Sequence, residues 1–438
     1  MIQVDLIINA SWIIPVVPRN SVLEDHALVV NDGLIVDVIE QSKAKAQYQA
    51  AKTVNRPNHV LMPGLVNAHT HASMTLFRGY ADDMPLLQWL TEHIWPAEAK
   101  WADEHFVKVG AELAVAEMLR GGTTCFNEMY FFPDAVAKVA DASGIRATVG
   151  MIALDFPTAW AQNSDEYIQK GLEVHDVVRH YDRVQTAFAP HAPYTLSDEP
   201  LQKIQTLADE LDVPIHMHVQ ETAFEVGDSL DKFGMRPIER LASLGLITHR
   251  LSAVHLTQLV PEEIQLLSDC GVSAVHCPQS NMKLASGFSP VTDLLAAGIN
   301  VAIGTDGASS NNDLDMFGEM QSAALMAKLH SGDAAAMPAA MAIEAATLGG
   351  AKAMALDHLT GSLEAGKAAD MITVDLAQAS TWPVYNAIHQ IVYSASRDQV
   401  NDVWVQGECL LDDTKHTTLD LTQVMRDSAQ LADKIGST

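Results

Sequence analysis

His69 and His71 stand two apart in a stretch that reads as a buried strand, VLMPGLVNAHTH. Residues two apart on a strand project to one face. Both imidazoles would therefore aim at one point, and a paired imidazole is what a divalent metal such as zinc takes. Further β-like runs end in residues of the same chemistry: His191 in AFAPHAPY, His218 and Glu221 in HMHVQET, His255 in AVHLTQ and Asp306 in IGTDG. Three imidazoles and a carboxylate (His69, His71, His218, Asp306) suit a single zinc or iron ion with one position open for water. Such an ion lowers the pKa of its water from ~15.7 toward ~7, so that hydroxide is available at neutral pH. Glu221, three residues after His218, is placed to carry that water's proton to a substrate. His255 could orient the hydroxide or polarise a developing oxyanion, and Asp306 could collect a proton late in turnover.

Each of these residues alone has an ordinary explanation. A His-x-His pair is common packing, and His216-Met217-His218 is a second one. His255 could be a satisfied core histidine, Asp306 a turn residue before Gly307, His191 a loop former, and Glu221 a solvated helix start. What argues for a site is that five different strands end in such residues at once.

The elements that must position them follow from residue 60 onward. Eight β-like runs, VLMPGLVNAHTH, TTCFNEMY, IRATVGMIAL, RVQTAFAPHAPY, VPIHMHVQET, LSAVHLTQ, VSAVHCPQS and INVAIGTDG, alternate with helical stretches. These include HFVKVGAELAVAEMLRG, DEPLQKIQTLADELD, PEEIQLLSDCG and VTDLLAAG, several of which close on a glycine (Gly121, Gly271, Gly298) as helices often do. Eight strand–helix units give a (β/α)8 TIM barrel, whose chemistry sits at the C-terminal ends of its strands. Residues 1–60 are β-rich, with Asn31-Asp32-Gly33 as a hairpin turn, and the chain becomes β-like again after GSLEAGKAADMITVD. The expected organisation is an α/β fold. A β-sandwich half lies at 1–60, the barrel at 61–368, and the other sandwich half at 369–438, with a terminal helix in LDLTQVMRDSAQLADKI.

Composition narrows the function. A net charge of −28 disfavours nucleic acid and anionic membranes as partners. Four scattered cysteines without a CxxC, and an apolar N-terminal stretch with no basic residue before it, point to reduced thiols and a cytoplasmic protein. No apolar run approaches the ~18 residues of a membrane span.

These stretches resemble the amidohydrolase superfamily over nearly the whole chain. PGLVNAHTH, the HxHxxE around His218, the strand-six histidine, GTDG and GxLExGKxADMI (Gly361 to Ile372) occur in the expected order. Within it the chain is similar to the 5-methylthioadenosine/S-adenosylhomocysteine deaminases, through THASMTLFRGYADDMPLLQWLTEHIWPAEAKW, APHAPYT, HMHVQETAFEV, QSNMKLASGFSPV and GTDGASSNNDLDMFGEM. The resemblance implies one divalent metal, zinc first with iron or manganese as alternatives, on His69, His71, His218 and Asp306. It implies Glu221 as proton shuttle and His255 and Asp306 as catalytic partners. It also implies substrate contacts by Glu98, His191 and Arg146 alongside Glu221 and Asp306. Glu98, in WPAEAKW, would hold the ribose hydroxyls, since a carboxylate can accept from two hydroxyls at once. Arg146 begins its strand rather than ending it, and the later stretch LDFPTAW holds no second arginine for a homocysteine carboxylate. No lysine ends strand four or five where a carbamylated bridge would stand, which favours one metal over two.

The expected activity is hydrolytic deamination of an adenosine-type small molecule. 5′-Methylthioadenosine comes first, with S-adenosylhomocysteine and adenosine as further substrates, in an enzyme that is a homo-oligomer (dimer or tetramer). The rivals are a guanine or cytosine deaminase or a triazine hydrolase on the same metal site, and a non-catalytic barrel acting as scaffold.

Overall fold

The computed structural model describes residues 1–436. Eight parallel strands form one sheet in sequence order: β1 (Leu65–Thr70), β2 (Thr123–Glu128), β3 (Arg146–Ala153), β4 (Val184–Pro190), β5 (Ile215–Val219), β6 (Leu251–His255), β7 (Ser273–His276) and β8 (Asn300–Ile303). Almost every residue in them is buried. This is the burial expected of parallel strands covered on both faces, and it explains why they read as continuous apolar runs rather than alternating ones. The sheet closes where the Asp306 N–H donates to the His69 carbonyl at 3.0 Å. Gly304, just after β8, permits this closure, because a Cβ there would lie 2.7 Å from the His69 nitrogen.

Helices cover the barrel. The helix Glu104–Arg120 starts on Asp103, whose side chain accepts from the Phe106 N–H, and it buries one face of Phe106, Val107, Val115 and Leu119. The expected helices at 198–211, 261–269 and 291–296 are present, and Gly271 and Gly298 follow two of them in left-handed conformation.

The two chain ends build one mixed, nine-stranded sheet. The strand Met371–Asp375 pairs antiparallel with Tyr48–Pro63, which runs parallel to Ile2–Ile13. The Gly33 turn packs on the turn at Gln406–Gly407 from the opposite chain end, so the sheet curls over a core containing Ile8, Leu28, Leu61, Met371 and Trp404. One sequence expectation is corrected here. VLMPGLVNAHTH is two strands, because Val60–Pro63 belongs to the terminal sheet and the barrel begins at Leu65. Gly64 is the joint, pressed so closely on Thr124 that a Cβ there would sit 2.0 Å from its hydroxyl. The last helix, Leu421–Gly436, packs against Glu104–Arg120.

Candidate metal centre and substrate cavity

The ends of β1 and β5 and the turn after β8 bring His69, His71, His218 and Asp306 together, with one ligand atom from each lying within 4.8 Å of all the others. His69 Nε2 and His71 Nε2 each face Asp306 Oδ1 at 3.3 Å, and His218 Nε2 lies 3.2 Å from His69 Nε2. The opposite ring nitrogen of each histidine has a hydrogen-bond partner. His69 Nδ1 bonds His216 Nε2 at 2.9 Å, His71 Nδ1 the Met129 carbonyl at 2.5 Å, and His218 Nδ1 the His191 carbonyl at 2.8 Å. The two carbonyls accept from Nδ1–H of His71 and His218 and so turn their Nε2 lone pairs toward one centre, and His69 Nε2 joins them when its Nδ1–H donates to His216. Asp306 Oδ2 accepts from Ser280 Oγ at 2.6 Å and Oδ1 from the Gly307 N–H at 2.7 Å. Asp306 and His255 both have positive φ (62° and 73°), a strained backbone that turns their side chains inward.

Charge at this point is set by burial and by the pairing of Asp306 with the imidazoles. Burial alone would push the Asp306 carboxyl up, but the facing imidazoles of His69 and His71 outweigh it and hold the group well below its ordinary range. Burial opposes charge on His71 too, yet Asp306 raises it to about 9, while burial carries His69 down to about 4. Three imidazoles and one carboxylate around one point fit a single divalent ion, zinc by donor type, with a fifth position left for water or substrate.

Glu221 follows β5 and is buried, with Oε1 accepting from Ser286 Oγ at 3.0 Å and Oε2 3.7 Å from His255 Nε2. Burial raises its pKa. His255 Nδ1 bonds Asn281 Oδ1 at 2.8 Å, which turns Nε2 toward Glu221. A proton acceptor and an imidazole therefore flank the metal centre.

Above them lies a cavity of about 300 Å³ whose walls include His71, His191, His218, Glu221, His255 and Asp306. Its roof is the segment 86–102, carrying Trp89, Trp95 and Glu98, and its side is the 154–159 loop after β3. Burial pushes the Glu98 carboxyl up to about 7, with the Tyr130 hydroxyl facing it.

Residues 60–410 match the model of the amidohydrolase family. The chain belongs to that family. It is 48% identical to the 5-methylthioadenosine/S-adenosylhomocysteine deaminase of Teredinibacter turnerae, over 99% of this chain and 98% of that one. The protein of the same description from Saccharophagus degradans is also 48% identical, over 96% and 94%. Among solved structures, an adenosine deaminase from Xanthomonas campestris with bound zinc superposes with a TM-score of 0.99, at 50% identity and full coverage of both chains. An atrazine chlorohydrolase from Arthrobacter aurescens complexed with zinc, 23% identical with a TM-score of 0.91 over 98% of this chain, shares the fold.

In this amidohydrolase one predicted substrate contact is not brought to the cavity. Arg146 opens β3 at the opposite end of the barrel, where it is buried in a two-bond pair with Asp370 (2.8 and 3.2 Å). Asp370 also accepts from the Gln406 N–H, and its carbonyl from the Gly64 N–H, so the pair ties the barrel floor to the terminal sheet. A guanidinium buried against a carboxylate at this end does not reach a substrate at the other.

Other residues stand at the site without having been singled out. His216, set aside as evidence that the pattern is cheap, holds His69. Ser280, Asn281 and Ser286 hold Asp306, His255 and Glu221; all three lie in the QSNMKLASGFSPV stretch, where only position marked them. Glu128 ends β2 fully buried, accepts from the Ala72 N–H at 2.8 Å and has its pKa pushed by burial up to about 8. It pins the loop that leaves β1.

Proposed function

We propose that this chain is a hydrolase that deaminates adenosine-type nucleosides to the inosine analogue and ammonia. 5′-Methylthioadenosine is the favoured substrate, with S-adenosylhomocysteine and adenosine as further ones. The observation that carries this reading is one cavity with two kinds of carboxylate. Glu221 lies beside the metal centre, and Glu98 lies on the roof with room for a vicinal diol. The names borne by the full-length relatives support the same substrate class.

His69, His71, His218 and Asp306 would hold a zinc ion, which would acidify a water so that hydroxide is available at neutral pH. Glu221 takes the proton of the attacking water and passes it to the purine ring nitrogen, a transfer its burial favours because the raised pKa makes it a stronger base. His255, oriented by Asn281, stabilises the oxygen as it bonds to C6. Asp306, held by Ser280, keeps that oxygen aimed and accepts its remaining proton. That proton passes from Asp306 to the amino group, which leaves as ammonia, since ammonia departs far more easily than amide ion. Glu98 accepts both ribose hydroxyls, and His191, 4.8 Å from His218 between ring centres, stands against the bound nucleoside.

Ammonia release by zinc-loaded protein, screened over adenine nucleosides and free bases, tests this. Turnover of nucleosides above free guanine or cytosine is expected; the reverse order would replace the reading with a free-base deaminase. No helix among the described residues is long and apolar enough to cross a membrane. We read the four free cysteines as those of a cytosolic enzyme. We also read the chain as a dimer or tetramer, which sedimentation of the purified protein would check.

A further inference from the structure

The cavity runs from the strand-end histidines to the roof segment and the 154–159 loop, and no lysine or arginine among the described residues lines it. Among the described residues the carboxylates that line it are Glu98, Glu221 and Asp306. The basic side chains nearby are engaged elsewhere. Lys283 bonds Asp82 and Asn312, Lys170 bonds Glu166 at 2.7 Å and the Trp160 carbonyl, and Lys100 sits 4.9 Å over Trp101. Arg146 is bound to Asp370 at the far end of the barrel.

Trp95 precedes Glu98 by three residues on the helix Trp95–Trp101, so the two share a face. Its ring meets that of Phe156 at 6.1 Å between centres, across the gap between roof and side loop. A nucleoside whose diol rests on Glu98 therefore places its 5′ carbon beside this aromatic pair. An uncharged alkylthio group gains apolar burial there. The ionised amino-acid end of a homocysteine tail, an ammonium beside a carboxylate, meets apolar rings there, and no lysine or arginine of the lining compensates the lost hydration of its carboxylate.

Resting on the deaminase reading above, we propose that this site selects its substrate by whether the 5′ substituent carries ionised groups. It takes uncharged 5′-alkylthioadenosines into the Trp95–Phe156 end and discriminates against the amino-acid tail of S-adenosylhomocysteine.

The test compares kcat/KM for 5′-methylthioadenosine, for 5′-butylthioadenosine (long but neutral) and for S-adenosylhomocysteine. The butyl compound should fall within about tenfold of the methyl one, and S-adenosylhomocysteine about a hundredfold or more below the butyl compound. In Phe156→Arg, which supplies the missing cation at a partly exposed position, that gap should narrow by about tenfold or more. Each comparison is a ratio within one preparation, so a general loss of activity cancels. S-adenosylhomocysteine turned over as well as the butyl compound would overturn the inference. So would two equally poor long substrates, which would make length the criterion, or an unchanged ratio in Phe156→Arg. Failure to deaminate any nucleoside would sink the deaminase reading and this inference with it.

Discussion

Replacing Glu221 by glutamine isolates proton transfer from every other property of the site. The side chain is buried, and its Oε1 accepts from Ser286 Oγ at 3.0 Å while Oε2 faces His255 Nε2 at 3.7 Å. Glutamine has the same shape, keeps an oxygen for Ser286 and loses the ability to take up a proton. Glu221 is not among the four groups that converge on the metal position, so metal content should stay at one ion per chain. A positioned general acid–base contributes about 10²–10⁴-fold. Glu221 serves both ring nitrogen and attacking water, so the upper part of that range is expected, a fall in kcat of about 10³–10⁴, or about 4–5.5 kcal/mol of barrier. KM should change little, because binding rests on Glu98 and the aromatic roof. The assay is ammonia release at saturating nucleoside together with elemental analysis of the same preparation. A kcat within tenfold of the parent would remove Glu221 from the mechanism. Loss of the metal would place it among the ligands instead.

Arg146→Met should leave Asp370 buried without its partner and destabilise the protein by about 3–5 kcal/mol. Its KM should stay near that of the parent at low temperature; a selective rise in KM with unchanged Tm would restore Arg146 as a substrate contact. Removing metal with a strong chelator should abolish activity and lower Tm, since an ion present at a thousand times its Kd stabilises by about 4 kcal/mol. Full activity in metal-free protein would end the hydroxide mechanism. The Glu98 carboxyl, raised by burial to about 7, is protonated below that pH and ionised above it. KM for nucleosides should therefore fall as pH rises through about 7, and Glu98→Gln should raise KM and flatten that dependence. The same loss on free bases would show that Glu98 does not hold a ribose.

Much of the site could be read before any coordinates. A strand alternates its faces and a parallel barrel presents its chemistry at one end, so His69, His71, His218, His255 and Asp306 could be recognised one strand at a time from local pattern alone. Folding decided what those residues touch. His69 depends on His216, 147 positions later, His255 on Asn281 and Arg146 on Asp370, 224 positions away. None of these partners has a local signature, because each bond exists only once the barrel has closed and the two chain ends have met beneath it. The break at Gly64 has the same origin. The run 60–66 is uniformly apolar, and only the approach of Thr124 from the neighbouring strand determines where one sheet stops and the other starts. Residue type and period set which groups could do chemistry; closure of the barrel set which of them are held, by what, and facing which cavity.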